Sequence, residues 1–140
     1  MGAAIDIEQA SRVFVAITSR VLDALDTSIS QAGLRALLVL DDHGGCTLSD
    51  LAHRVPLSQS ATSRMVERLV GSGLVERSAR PEDRRQIQVA MTRQGRELVD
   101  VLTERRRDVI ESIAAGMSAT DLAALRRGLT AFEAASGDIP

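Results

Sequence analysis

The chain is 140 residues long, 44% hydrophobic and 26% charged, with a formal net charge of −2; this bounds it to one domain, or one domain with a dimerisation element, and excludes disordered, collagenous and low-complexity classes. No apolar run approaches the ~18 residues of a membrane span, the opening MGAAIDIEQA lacks the basic and apolar regions of a secretory signal, and the expected compartment is the cytoplasm. A single cysteine, Cys46, excludes an intrachain disulfide or a cysteine-rich zinc module, and with Phe14 and Phe132 as the only aromatics the chain has almost no platform on which single-stranded nucleic acid could stack.

Apolar residues at helical spacing predict a first helix over 6–27, with Val13, Ile17, Val21 and Leu25 at i, i+4 intervals and Ala10 and Phe14 beside them. Ser30 reads as the N-cap of a second helix over 31–43 that carries Leu34, Leu37, Leu38 and Leu40 and stops at Gly44-Gly45. Cys46-Thr47-Leu48 is a short extended piece. Ser49 then reads as the cap of a brief helix, Asp50 to Val55, which buries Leu51, Ala52 and Val55 and ends at Pro56. Ser58 caps a fourth helix, about 59–71, closed by Gly71 and Gly73. The period then changes. Leu74, Val75 and Arg77 are strand-like, Ala79 to Arg85 is a charged loop, and Gln86 to Met91 alternates as a half-buried strand does, which together predict a β-hairpin. Thr92 caps a long helix over 93–115 with Leu98, Leu102, Val109 and Ile113 in register; Gly116 breaks it, and Ser118 with Asp121 caps a last helix bearing Leu122, Leu125, Leu129 and Phe132. The fold class is mainly α with a small β-hairpin wing: an N-terminal dimerisation helix at 1–29, a winged helix-turn-helix at 30–92, and C-terminal dimerisation helices at 93–140.

Charge is segregated along this order. From Arg54 to Arg96 nine arginines face four acids, a net of +5, and the remainder carries −7. A basic middle between acidic ends is the footprint of a segment that meets a polyanion, although a solvated surface gives the same pattern. On the fourth helix Ala61, Met65 and Leu69 form the expected core stripe, with Thr62 and Val66 on its flank. Ser60, Ser63, Arg64 and Glu67 occupy the opposite face. Short hydroxyls let a helix approach base edges and phosphates, and arginine bonds guanine bidentately. Glu67 would repel phosphate, so it either lies out of reach or pairs with Arg64 or Arg68. The hairpin tip, Arg80-Pro81-Glu82-Asp83-Arg84-Arg85, holds arginines where they can enter a minor groove. Asp83 reads as a bracket accepting hydrogen bonds from Arg85 or the loop backbone. The plain alternative for the tip is a surface ion-pair cluster.

Gly73-Leu74-Val75-Glu76-Arg77, then Pro81-Glu82-Asp83-Arg84-Arg85, then Val89-Ala90-Met91-Thr92-Arg93-Gln94-Gly95 resemble the G-L-V-x-R, D-x-R and V-x-L-T-x-x-G series of the MarR family of bacterial transcriptional regulators. Leu51-Ala52 and Ser60 to Leu69 resemble its helix-turn-helix, and the likeness covers nearly the whole chain. The resemblance implies a homodimer whose terminal helices interlock and whose winged domains each take half of a near-palindromic operator in double-stranded DNA, with recognition helices ~34 Å apart. The apolar stripes Val13, Ile17 and Val21, then Val109 and Ile113, then Leu122, Leu125 and Leu129 are natural interface material, hard to cover within so small a chain. The family's minor-groove arginine falls on Arg85, with Arg84 a candidate for the groove or a phosphate. Arg64 and Arg85 would anchor readout, Ser60 and Ser63 touch bases or phosphates, and Arg68, Arg77 and Arg84 hold the backbone.

Members of the family often sense small organic acids or phenols in a cleft between the dimerisation helices and the DNA-binding lobe. This chain departs from the pattern in its scarcity of aromatics, its lack of lysine, and Pro56 where a turn glycine is common. Arg12, Arg20 or Arg35 could serve an acid, and the sequence singles out none. Cys46 reads as a small buried residue rather than an oxidant sensor, and no metal or other cofactor is expected, although Asp42, His43, Cys46 and His53 have suitable donor types. Arg105-Arg106-Arg107 reads as a solvated helix face, with phosphate contact as the lesser alternative. No P-loop, G-x-S-x-G, H-E-x-x-H or dinucleotide pattern is present, so an enzyme is not expected. The reading is a ligand-responsive repressor whose induction changes the distance between recognition helices. The alternative is a winged-helix adaptor or antirepressor dimer that acts through protein–protein contacts alone.

Overall fold

Hydroxyl side chains set the starts of five helices. In the computed structural model, which describes residues 2–25 and 27–137, the elements run α1 (Gly2–Ala24), α2 (Gln31–His43), β1 (Cys46–Thr47), α3 (Leu48–Arg54), α4 (Gln59–Gly71), β2 (Val75–Ala79), β3 (Ile87–Met91), α5 (Arg93–Ala115) and α6 (Ala119–Ser136). From α2 onward each helix begins at a Ser or Thr whose oxygen accepts the amide three residues on: Ser30 from Gly33, Thr47 from Asp50, Ser58 from Ala61, Thr92 from Gly95 and Ser118 from Asp121. Each such cap stabilises its helix by about 1 kcal/mol.

Two helix starts differ from the sequence expectation. Thr47, not Ser49, caps α3, because β1 holds Thr47 in extended conformation and its hydroxyl reaches the Asp50 amide at 3.1 Å. Ser49 therefore lies inside the first turn, where its hydroxyl accepts from Gln59 Nε2 at 2.6 Å. The first helix starts at Gly2 rather than residue 6 and ends at Ala24 rather than 27; residue 26 of the predicted span lies outside the described residues.

The sheet has three strands in the order β1-β3-β2, all antiparallel. The hairpin register pairs Val75 with Met91, Arg77 with Val89 and Ala79 with Ile87, and β1 adds Cys46 opposite Val89. The main core lies between this sheet and α2, α3 and α4, with Leu37, Leu51, Val55, Val66 and Val89 all but inaccessible. Within α4 the buried residues are Thr62, Met65, Val66 and Leu69. The stripe is thus centred nearer Thr62 than Ala61, which is half-buried, and Ser63 on the other flank is half-buried rather than exposed. Thr62 can be buried because its hydroxyl donates to the Ser58 carbonyl at 2.9 Å, so no polar group is left unpaired.

A second core ties α1 and α5 to α2 through Ile17, Val21, Leu22, Leu34 and Leu102, with Val109 packed against it. Ile17 and Val21, expected as interface material, are therefore used within the subunit. Val13, Ile113, Leu125 and Leu129 remain exposed at 50%, 49%, 44% and 40%, and Leu122 is half-buried. No residue of α6 is buried. Among the described residues no helix is long and apolar enough to cross a membrane.

The junction between β3 and α5 is closely packed. The Thr92 amide donates to the Leu74 carbonyl at 3.0 Å, and its hydroxyl donates to the Gly73 carbonyl at 2.6 Å. The same oxygen accepts the Gly95 amide at 3.1 Å. Gly95 sits directly over the Leu74 carbonyl, and a Cβ there would overlap that oxygen and lie 2.6 Å from Met91 Cγ. Gly95→Ala is expected to destabilise the protein by about 3 kcal/mol, at the upper end of overpacking costs. Urea unfolding checks this, and a loss within the roughly 0.5 kcal/mol of an ordinary surface substitution would refute the close contact.

Candidate nucleic-acid interface

The turn at 55–58 sets α4 against α3, and the Ser58 cap fixes where α4 begins. With Thr62, Val66 and Leu69 inward, Ser60, Arg64, Glu67 and Arg68 are exposed. Ser60 Oγ lies 3.2 Å from Ser58 Oγ. Among the described residues neither Arg64 nor Arg68 makes a side-chain hydrogen bond or ion pair. Glu67 pairs with neither of them. Its carboxylate stands 3.8 Å from Arg77 Nη1 on β2, because β2 runs beside α4 and brings Arg77 to that flank. A pair this long and this open to solvent contributes at most about 1 kcal/mol. Among the described residues Arg77 is therefore the one arginine of the predicted DNA-binding set that already faces a carboxylate.

The wing is held by hydrogen bonds within its own loop. Asp83 Oδ1 accepts the Arg85 amide at 2.9 Å, and the Asp83 carbonyl accepts the Gln86 amide at 3.0 Å. Arg80 closes the base of the loop, its amide donating to the Gln86 carbonyl at 3.0 Å and its Nη1 to Gln86 Oε1 at 3.1 Å. The Asp83 side chain thus meets the loop backbone, one of its two expected partners, and not the Arg85 guanidinium. An aspartate bonding an amide two residues on fixes a turn without consuming neighbouring cations. Arg84 and Arg85 are exposed, and their side chains make no hydrogen bond or ion pair among the described residues.

Between the wing and the start of α4 runs a groove of about 540 Å³, lined by Ser49, Asp50, Gln59, Arg80, Arg85 and their neighbours. Arg85 and the N-terminal end of α4 therefore flank one groove. Ser49 and Gln59 did not stand out in the sequence. Their only sequence signal is polarity near two helix starts; their place beside the wing follows from the pairing of β1 with β3.

The other candidates are dispersed. Arg12 is paired with Glu8 at 2.8 Å on the exposed side of α1. Arg35 lines a cleft of about 330 Å³ between α1, α2 and α5 together with Phe14, Thr18, Gln31 and Arg106, whose buried Nε has no hydrogen-bond partner. Arg20 lines a separate cleft of about 310 Å³ with Arg105 and Asp108. His43 and His53 each place Nδ1 2.9 Å from a carbonyl oxygen of their own helix. Among the described residues no group of three or more His, Cys, Asp or Glu is placed to hold a metal. Cys46 is buried in the main core, and burial pushes its thiol above the usual value; Asp50 adds to the rise and Arg54 opposes it.

The MarR family model matches residues 29–87. The chain is 31% identical to the uncharacterized HTH-type transcriptional regulator YwhA of Bacillus subtilis over 85 residues, 61% of each protein. It is 30% identical to the uncharacterized regulator YdgJ of the same organism over 115 residues, 77% of this chain and 70% of that one. The chain thus spans less than two thirds of YwhA. The crystal structure of RV1404 from Mycobacterium tuberculosis superimposes with a TM-score of 0.84 at 38% identity, covering 96% of this chain and 92% of that one.

A thiol whose pKa is raised is protonated at neutral pH, and the thiolate is the reactive species. Cys46 is accordingly expected to resist iodoacetamide at pH 7.5 in the native protein and to react readily in urea, as intact mass would report. Fast stoichiometric labelling of the folded chain would contradict its burial.

Proposed function

The chain belongs to the MarR family of transcriptional regulators, and from that premise we propose that it binds double-stranded DNA as a homodimer and acts as a ligand-responsive repressor. In this reading α4 enters the major groove and the β2–β3 wing enters the minor groove of a near-palindromic operator. The observation that carries it is the set of exposed guanidiniums at Arg64, Arg68, Arg84 and Arg85 that have no partner among the described residues, within the basic segment 54–96 of an otherwise acidic chain. Uncompensated cations along a helix and a hairpin are what phosphate neutralisation requires.

Arg64 reads base edges and Arg85 occupies the minor groove, while Arg68 and Arg84 hold phosphates. Ser60 approaches the backbone directly, and Ser63 offers only its exposed edge. Arg77 holds a phosphate only by sharing its guanidinium with Glu67. Asp83 supports the wing by holding the Arg85 amide.

Support for a second copy comes from α6, an 18-residue helix with no buried residue. Leu125, Leu129 and Phe132 are exposed along it, as are Val13 on α1 and Ile113 on α5. A helix of that length gains little stability without a packed face, and a self-complementary two-fold interface covers the same patch on both subunits. A small organic acid would act as effector in the cleft lined by Arg35 and Arg106, where the exposed Arg35 guanidinium offers a charged partner to a carboxylate. Its binding would be coupled to operator affinity through the spacing of the two α4 helices.

Two measurements test these assignments. Titration against a labelled duplex from the chain's own upstream region, with random competitor at two salt concentrations, is expected to show specific binding that weakens steeply with salt. Arg64→Ala should cost about 1–3 kcal/mol and relax selectivity at one base pair per half-site, whereas Arg68→Ala should weaken every duplex alike and lower the salt slope by about 1. Equal losses on specific and random DNA for both variants would sink that division, and failure to select any genomic fragment would favour the adaptor alternative. Sedimentation is expected to give twice the chain mass, and Leu125→Glu with Leu129→Glu to reduce it to the monomer; a monomeric parent protein overturns the dimer.

A further inference from the structure

The groove of about 540 Å³ between the wing and the start of α4 has on one side a helix read as entering the major groove, and on the other Arg85, read as entering the minor groove. Adjacent major and minor grooves of a duplex share one wall, a single sugar-phosphate strand. A duplex held by both elements therefore has to pass that strand between them. Residues advance by about 100° around a helix, so Gln59 stands apart from Ser60 and Arg64 on the solvent face. It lies on the flank where Glu67 reaches Arg77 of β2, and it lines the groove together with the wing. Gln59 thus faces the dividing strand rather than base edges.

Three side chains in this groove keep donors to spare. Gln59 Nε2 donates one hydrogen to Ser49 Oγ at 2.6 Å and retains a second. Ser49 is the acceptor of that bond, so its own hydroxyl hydrogen stays free among the described residues. Arg80 is tied to Gln86 at its amide and at Nη1, which uses one of five guanidinium N–H groups and leaves four. Arg80 faces no carboxylate within ion-pair distance among the described residues. Asp50 is the one acidic side chain lining the groove among them. Its charge opposes a free anion more effectively than a phosphate that the rest of a duplex holds in place.

We infer that Arg80, Ser49 and Gln59 clamp one phosphate of the strand that divides the major groove from the minor groove. Arg80 supplies the charge from the wing side. Ser49 and Gln59 supply neutral hydrogen bonds from the helical side, and the Gln59-to-Ser49 bond polarises the hydroxyl that donates onward. The inference rests on the reading of α4 and the wing as the DNA-binding elements, and it gives a role to three residues that reading leaves without one. Phosphate contacts fix register without carrying sequence information. A clamp between the two elements sets where Arg85 enters the minor groove relative to the base edge met by Arg64.

The test uses the full chain, a duplex it binds specifically, and the same duplex carrying one uncharged methylphosphonate at each position in turn. One phosphate per half-site, between the major-groove and minor-groove footprints, is expected to cost the parent protein about tenfold in Kd when neutralised, and to cost Arg80→Gln nothing further. Arg80→Gln should itself bind specific and random duplexes about tenfold more weakly, with the salt slope lower by about 1. Arg80→Lys should restore the slope. Ser49→Ala should weaken binding about threefold through the same phosphate and leave the slope unchanged, as the loss of a neutral bond does. A purely structural part for Arg80 in the wing would make the Gln and Lys variants alike and couple neither to a single phosphate. That result, or a phosphate effect that persists in Arg80→Gln, would overturn the clamp while leaving Arg64 and Arg85 as DNA contacts. Selectivity lost at one base pair in Gln59→Ala would make Gln59 a base reader and overturn its place in the clamp. Saturable binding of inorganic phosphate that Arg80→Gln abolishes would make the groove a free-anion site instead. A parent chain that binds no duplex would overturn the DNA reading and the clamp together.

Discussion

Thr92 ties three parts of the chain together with one side chain and one amide. Its amide and hydroxyl donate to the carbonyls of Leu74 and Gly73 in the turn that leaves α4, and its oxygen accepts the Gly95 amide that begins α5. Gly73 adopts a φ of 74°, a backbone that side-chain-bearing residues resist, and the absent Cβ of Gly95 lets α5 descend onto the Leu74 carbonyl. The end of α4, the end of β3 and the start of α5 therefore share the same few backbone atoms. A tilt of α5 cannot leave α4 where it was without breaking these half-buried bonds, each of which stabilises the junction by about 1 kcal/mol. The most specific stretches of the sequence, Gly73-Leu74-Val75 and Thr92 to Gly95, meet at this point, and the junction supplies the physical reason for both glycines.

The arginines divide into those with partners and those without. Arg12 and Arg93 face glutamates one turn away, Arg77 faces Glu67, and Arg96 donates to the Met91 carbonyl at 3.0 Å. Arg64, Arg68, Arg84 and Arg85 have no such partner among the described residues. In the wing the Asp83 carboxylate turns inward to accept the Arg85 amide, and among the described residues it meets neither the Arg84 nor the Arg85 guanidinium. On α4 it follows from Glu67 lying toward β2. The acids that could neutralise these cations are concentrated outside 54–96. The charge pattern thus leaves one lobe attractive to a polyanion while the acidic remainder repels it, which orients an approaching duplex as well as attracting it.

Local chemistry was legible in the sequence, and long-range packing was not. Ser30, Ser58, Thr92 and Ser118 could be read as caps because a cap is a contact over three residues. At the start of α3 the sequence points to Ser49 rather than Thr47, because the choice between them depends on β1 pairing with a strand some forty residues away. Periodicity centres the α4 stripe nearer Ala61 than the structure does, because a threonine reads as polar and only the Ser58 carbonyl lets Thr62 serve as a core residue. The partner of Glu67 lies on another element, beyond any i, i+4 rule. The exposed arginines of α4 and the wing could be picked out by type and position, whereas Ser49 and Gln59 joined the groove only through the sheet.

Periodicity shows that a helix has an apolar face without showing what covers it, and α1 and α5 make the distinction plain. The second half of α1 is buried within the subunit through Ile17, Val21 and Leu22, while Ile5, Ile7, Val13 and Phe14 in its first half are exposed. Along α5 the order is reversed: Val99 and Leu102 are buried near the lobe, and Ile110 and Ile113 are exposed further on. Each helix thus has one end anchored in the winged lobe and one end extending from it, and α6 continues from the free end of α5 with no buried residue of its own. Whatever covers these free ends fixes the direction of α5. Because α5 begins at the Thr92 junction, it fixes the direction of α4 with it. The apolar surface at these free ends is in this way mechanically connected to the arginines of α4, through a helix rooted in a contact that a methyl group added at Gly95 would disrupt.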